Sequence, residues 1–368
     1  MQELEIKVPG TAETRYRVAI GAGLLPSVWP ALEATFVGRH PFVVTDENVV
    51  AAGLRDRLAQ GRDIPTYVIR PAGESSKNIG TVIAIVEAME KAYLGRDALV
   101  VALGGGTVGD SAGFAAAIFK RGVPVVQIPT TTVAQADSAI GGKTGVDSSL
   151  SKNAFGAFWH PAAVYVDVAA LKTLDERQYR SGLVESVKHG LIADREYFEF
   201  LESHLDAILA RDMGTLETMA GYNCTIKGRV VAADPQEKNL RRILNYGHTI
   251  GHAVEAASGY GLLHGEAVAI GMVAAGLMEA ELGLSEPGRL DRVRGLLEKL
   301  GVPVKLPANL AENSLIDIVQ HDKKAVDRWP RFVLLERVGQ VHRQDSQYAV
   351  PVSRDVVKKI LRLMIDNG

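Results

Sequence analysis

A chain of 368 residues, 47% of them hydrophobic, has room for two domains of roughly 150 residues each and enough apolar side chains to fill their cores. Its 41 Lys and Arg stand against 43 Asp and Glu, which excludes a global field for nucleic acid or an anionic membrane, so anion recognition has to be local. The single cysteine, Cys224, excludes an intramolecular disulfide framework and fits a reducing compartment, with the cytoplasm as the expected location. The start MQELEIKV has no basic n-region followed by an apolar run. The apolar stretch AVAIGMVAAGLM (267–278) falls short of the roughly 20 residues a bilayer needs, so the chain reads as a soluble protein.

Up to about residue 170, short β-rich runs end in Gly, Pro, Asp or Thr and alternate with helical stretches. They are PFVVTD (41–46), TYVIRP (66–71), ALVVALGGG (98–106), VPVVQIPTT (123–131) and AVYVDV (163–168). That alternation predicts a parallel sheet with crossover helices. After Leu174 long helical periods take over, with no strand run until RFVLLERV (331–338). SEPGRL (285–290), with Ser285 as N-cap and Pro287 just inside, and SRDVVKKILRLMI (353–365) both read as capped amphipathic helices. With no 20- to 50-residue repeat and no low-complexity linker, the two halves are expected to pack closely and share a cleft.

In LGGGTVGD, Gly104, Gly106 and Gly109 fit G-x-G-x-x-G directly after a strand, where backbone N–H groups and a helix N-terminus approach a pyrophosphate. The acidic residue expected about 20 positions further on is missing from VPVVQIPTT, and the nearest candidate, Asp46, ends an earlier strand. QIPTTTVAQADSAIGGKTGVD (127–147) and SKNAFGAF (151–158) crowd Thr130, Thr131, Asp137, Lys143, Lys152 and Asn153 near strand ends and glycines. Lysines as point charges beside hydroxyls and an amide suit a phosphorylated ligand or the phosphates of a dinucleotide.

RRILNYGHTIGHAVEAASGYGLLHGEAVAIGM (241–272) places His248, His252 and His264 among small residues and apolar helix. The first two are i, i+4 and share a helical face, the spacing of a metal pair. Imidazoles suit zinc or another borderline divalent ion, and a catalytic site adds a carboxylate and keeps a position open. Spacing offers Glu255 and Glu266 nearby and Glu185 of GLVESVKHG (182–190) at a distance, and composition does not choose among them.

GGGTVGD, the PTT…DS…GGKTGV block, ESVKHG, LNYGHTIGHAVE and HGE together resemble, in order and spacing, the 3-dehydroquinate synthases of the sugar-phosphate cyclase superfamily. The resemblance runs from Asp46 to HDKK at 321–324. It implies a Rossmann-like NAD-binding α/β domain (1–174) followed by a mainly helical metal- and substrate-binding domain (175–368), an architecture also similar to iron-type alcohol and glycerol dehydrogenases. By resemblance the metal ligands are Glu185, His248 and His264, holding zinc or cobalt, and His252 turns to substrate contact or proton relay. NAD is expected against Asp46, Glu74, Lys77, Gly105, Gly106, Asp110, Thr130, Thr131, Lys143, Lys152 and Thr173. Substrate contacts are expected at Asp137, Lys143, Asn153, Lys188, Lys227, Arg241, Asn245, His252 and Lys324. Arg121 in FKRGV corresponds to an arginine that reaches a neighbouring subunit's site, which implies a homodimer.

The implied activity is conversion of 3-deoxy-D-arabino-heptulosonate 7-phosphate to 3-dehydroquinate and phosphate, a step towards aromatic amino acids. It proceeds by transient oxidation, phosphate elimination, re-reduction and aldol closure. Two segments depart from the family pattern: GVDSSLSKN stands where GVN, HP and GKN are common, and DPQEKNLR where DE-E-GLR is usual, bringing in Asp147, Pro235 and Asn239. They raise a sister cyclase acting on sedoheptulose 7-phosphate as the alternative. A metal-dependent polyol dehydrogenase and a non-catalytic nucleotide-binding protein are the other classes, and the lysine cluster speaks against the former. Arg241, Lys227 and Lys324 favour a substrate with a second anionic group, because an arginine fork grips a carboxylate with two charge-assisted hydrogen bonds.

Overall fold

The computed structural model describes residues 14–259, 261–284, 286–320 and 329–365. Its first half is an α/β layer around a six-stranded parallel sheet in the order β1-β8-β5-β4-β2-β3. The strands are β1 (Arg17–Gly21), β2 (His40–Asp46), β3 (Thr66–Ile69), β4 (Ala98–Gly104), β5 (Val125–Pro129) and β8 (Ala163–Asp167). β4 is the run ALVVALG with every residue buried, as a strand covered on both faces requires. Helices α1 (Leu25–Thr35), α2 (Ile79–Lys91) and α3 (Gly106–Ile118) belong to this half. One sheet face packs Leu99, Val101, Val126 and Ile128 with α1, and the other packs Val100 and Val125 with Val82, Ile85 and Ala112 of α2 and α3.

The five strands expected from sequence are all present. In this half the described residues add three strands: β1, at the sheet edge beside β8, and the antiparallel hairpin β6 (Lys143–Val146) and β7 (Phe155–Phe158). The hairpin packs on α3, and Lys143 opens its first strand.

From Glu176 onward helices dominate: α4 (Glu176–Ala193), α5 (Met213–Ala233), α6 (His248–Ala257), α7 (His264–Glu281), α8 (Arg289–Lys299) and α9 (Arg354–Met364). α9 is capped as expected, Ser353 accepting from the Val356 N–H, and it buries Val357, Ile360, Leu361 and Met364 at helical spacing. α8 corrects the reading of SEPGRL. It starts at Arg289 after Gly288, whose φ of 74° turns the chain into the helix, and Pro287 precedes it, while Ser285 lies outside the described residues. RFVLLERV is likewise not one strand. Arg331–Phe332 pairs with Val350–Pro351 and Leu335–Arg337 with Gln340–Val341, because Val333 and Leu334 turn into the helical core between them. Among the described residues no helix is long and apolar enough to cross a membrane.

Two glycines set how closely the helices that carry the site approach. A Cβ on Gly265 would stand 1.8 Å from the Ser181 carbonyl oxygen, and one on Gly271 would stand 1.9 Å from that of Gly247. Glycine at these positions lets α7 lie directly on α4 and on the start of α6, with Glu185, His264 and His248 on the three facing helices.

Candidate metal and dinucleotide site

At the C-terminal ends of the sheet strands, Asp46 of β2, Gly104–Gly106 after β4 and Thr130 and Thr131 after β5 lie side by side. This is where an open α/β sheet changes the direction of its connections. Helix α3 opens at Gly106 with Gly105 as its cap residue, so its first N–H groups face the crevice. A Cβ on Gly105 would stand 3.0 Å from Thr131 and one on Gly106 3.2 Å from the Ser138 hydroxyl, so a side chain there would fill the cradle. Asp46 accepts from the Val49 N–H, and Thr173 lies exposed on the turn after β8. Lys77 bridges Asp110 (2.6 Å) and the side-chain amide oxygen of Asn153 (2.8 Å), which sets Asn153 beside Lys77. Asp147 accepts from the Asn153 N–H and thereby shapes the departing loop.

Three side chains converge behind this crevice. His248 Nδ1 lies 3.0 Å from the Tyr246 carbonyl oxygen, a pure acceptor, so Nδ1 carries the proton and the Nε2 lone pair points 3.4 Å from Glu185 Oε1. His264 repeats the arrangement, with Nδ1 against the Glu255 carboxylate at 3.4 Å and Nε2 3.5 Å from the same Glu185 oxygen. That oxygen is buried and has no hydrogen-bond donor among the described residues. Ligand atoms about 2.1 Å from a tetrahedral ion sit about 3.4 Å from one another, which is the spacing found. His252 adds a nitrogen within 4.8 Å of those of His248 and His264.

The two alternative carboxylates fall elsewhere. Glu266 is clamped by Arg177 at 2.7 Å through both oxygens, and Glu255 orients His264 from behind while accepting from Lys152 at 2.9 Å. Burial raises the Glu185 carboxyl, but Lys188 and His248 outweigh it and hold it well below the usual range. Burial lowers the His264 pKa, yet Glu185 and Glu255 outweigh it and raise it to about 9.

Next to this cluster Lys227 pairs with Asp137 at 2.8 Å and Lys188 pairs with Glu185. A single π-helical turn, Ala134–Ser138, presents Asp137 to the cleft. The two buried lysines are pushed apart. Burial opposes the charge on both, but Glu185 and Asp137 prevail and raise Lys188, whereas Lys227, repelled also by Lys188 and Arg241, is lowered.

Arg241 spends part of its fork on the backbone. Its terminal nitrogens donate to the carbonyls of Pro235 (2.8 Å) and Gly141 (3.0 Å), and its buried Nε has no acceptor among the described residues. Asn245 donates to Glu237 at 3.0 Å and Lys143 pairs with the same carboxylate. Arg121 is exposed on the turn after α3 and has no hydrogen-bond or ion-pair partner among the described residues, so it is not part of this chain's own cluster. Lys324 lies outside the described residues.

Residues 67–181 match the model of the 3-dehydroquinate synthase N-terminal domain and 182–325 that of its C-terminal domain. The chain belongs to the 3-dehydroquinate synthase family. A 3-dehydroquinate synthase of Symbiobacterium thermophilum is 44% identical over 334 residues, covering 89% of this chain and 93% of the relative. Among solved structures, 2-epi-5-epi-valiolone synthase from Streptomyces hygroscopicus, with NAD+ and Zn2+ bound, superposes with a TM-score of 0.86 at 28% identity, covering 98% of this chain and 99% of its own. A 2-deoxy-scyllo-inosose synthase complexed with carbaglucose-6-phosphate, NAD+ and Co2+ gives 0.84 at 29% identity over 95% and 97% of the two chains.

Sequence reasoning about the family did not single out Glu237, His189 or Asn223. His189 had a visible signal, since it lies four positions after Glu185 on the same helix.

Proposed function

We propose that this chain converts 3-deoxy-D-arabino-heptulosonate 7-phosphate to 3-dehydroquinate and phosphate as a phosphate-eliminating lyase. The observation that carries this reading is the three-way convergence of Glu185, His248 and His264 on one electron-rich point beside the lysine cluster, in a chain 44% identical to a 3-dehydroquinate synthase. NAD, held by the glycine cradle, would supply hydride acceptor and donor chemistry, and a divalent ion, zinc or cobalt, held by Glu185, His248 and His264, would supply a Lewis acid for the reacting oxygen.

The side chains do the rest. The glycine cradle and α3 N-terminus, with Asp46, Lys77, Asp110, Thr130, Thr131, Lys152 and Thr173 around them, hold the dinucleotide. Lys143, Arg241, Asn245 and His252 hold the phosphate and orient it for departure, where the phosphate itself can take the proton from the adjacent carbon. Asp137, kept ionised by Lys227 and Lys188, accepts from a ring hydroxyl, and Lys227, whose charge burial disfavours, is held against it at 2.8 Å. The division at 174/175 falls between the last sheet strand, β8, and α4.

A homodimer fits the exposed Phe155, Phe158 and Ile118 on the β6–β7 hairpin and the end of α3, beside the turn that carries Arg121. The sister reading, sedoheptulose 7-phosphate as substrate, is favoured by the use of two Arg241 donors on backbone carbonyls, which leaves less of the fork for a carboxylate.

Side-by-side phosphate-release assays with the two sugar phosphates, NAD and zinc decide between them. The heptulosonate is expected to have the higher kcat/KM, and a higher value for sedoheptulose 7-phosphate overturns the assignment.

A further inference from the structure

The lysines of the cleft among the described residues are each held by an acid of the same chain: Lys188 by Glu185, Lys227 by Asp137, Lys77 by Asp110 and Lys152 by Glu74 and Glu255. The remaining pair, Lys143 with Glu237, differs in two ways. Lys143 is the most solvent-open of these lysines, at 47%, and Glu237 has no part in the metal cluster or the dinucleotide crevice. The Glu237 carboxylate divides its oxygens, Oε2 against Lys143 and Oε1 accepting from the Asn245 amide at 3.0 Å. It therefore occupies two groups that the proposed function assigns to the substrate's phosphate.

This position is built into the loop. Asp234 accepts from the N–H groups of Lys238 (2.9 Å), Asn239 (2.7 Å) and Arg241 (3.1 Å), Arg241 holds the Pro235 carbonyl, and Glu237 itself sits at φ 57°. The side chain is thus carried to Lys143 by a preorganised turn, and it is 16% exposed.

We propose that Glu237 is a specificity-determining residue, an internal anion that fills the Lys143–Asn245 subsite until a ligand brings a phosphate monoester to displace it. The proposal rests on the functional reading above and deepens it. A phosphate monoester carries about −1.5 to −2 charges at pH 7 and three acceptor oxygens, so it outcompetes a single carboxylate for the lysine and the amide. A neutral polyol or a lone carboxylate does not, and is kept out of the subsite.

The test uses inorganic phosphate as probe and the full chain loaded with NAD and zinc, with no turnover involved. Calorimetric titration should give about fivefold tighter phosphate binding in Glu237→Gln, the upper end of what a partly exposed ion pair opposes. Glu237→Asp keeps the charge but shortens the reach, so it should recover at least half of that gain. In a Lys143→Met background the effect of Glu237→Gln should vanish. Unchanged circular dichroism and an unchanged urea-unfolding midpoint show that each variant is folded. Phosphate affinity in Glu237→Asp equal to the parent's, a gain that persists without Lys143, or weaker binding in Glu237→Gln each overturns the proposal. Failure of heptulosonate turnover in the parent enzyme would instead sink the functional reading and leave these phosphate results standing.

Discussion

Replacing His189 with Gln should flatten the acid side of this protein's stability profile. His189 is fully buried in α4, with Nδ1 3.0 Å from the side-chain amide oxygen of Asn223 and Nε2 3.9 Å from Asp137, without a hydrogen-bond partner among the described residues. Burial first, and then the charge on Lys188, lower its pKa to about 4, against the opposing pull of Asp137 and Glu185. The unfolded chain binds that proton near pH 6.5. Between these values the unfolded state is protonated at this residue and the folded state is not, so the contribution is fully present above about pH 6.5 and is lost as pH falls through about 4. At about 1.36 kcal/mol per pH unit the difference is worth roughly 3 kcal/mol. Urea unfolding of the metal-free, NAD-free protein at pH 7.5, 6 and 4.5 measures it. The parent should lose up to about 3 kcal/mol more across that range than His189→Gln, since other titrating groups contribute equally to both proteins. Parallel pH profiles would refute the claim that His189 is held neutral by its surroundings.

His264→Ala should abolish zinc binding and activity with the fold retained, because the residue opens α7 and is one-third exposed; full metal occupancy in that variant would remove it from the ligand set. Glu255→Gln should weaken zinc about 10- to 100-fold in chelator competition by loosening the His264 ring, and an unchanged affinity would show that Glu255 does not orient it. With the heptulosonate phosphate present, phosphate should accumulate over many turnovers without matching NADH, whereas stoichiometric NADH would identify a polyol dehydrogenase.

The sequence by itself determined the elements whose signal is local. The β-rich runs from 41–46 to 163–168 became the parallel sheet, the glycines after β4 became the cap of α3, and Ser353 became the cap of α9. Hydrophobic period, turn chemistry and capping act within a few residues, so they can be read along the chain. The i, i+4 spacing likewise placed His248 and His252 on one helical face, but it could not choose the carboxylate. The family resemblance named Glu185, and the tertiary structure gives the physical reason: Glu185 reaches both imidazoles while Glu255 stands behind His264 and Glu266 is held by Arg177. That choice depends on helices distant in sequence approaching through Gly265 and Gly271. The pairing of each cleft lysine is decided in the same way. Which acid meets Lys143, and how many donors Arg241 has left, follow from a hairpin and a turn far apart in the chain, where packing geometry and not residue type sets the partner.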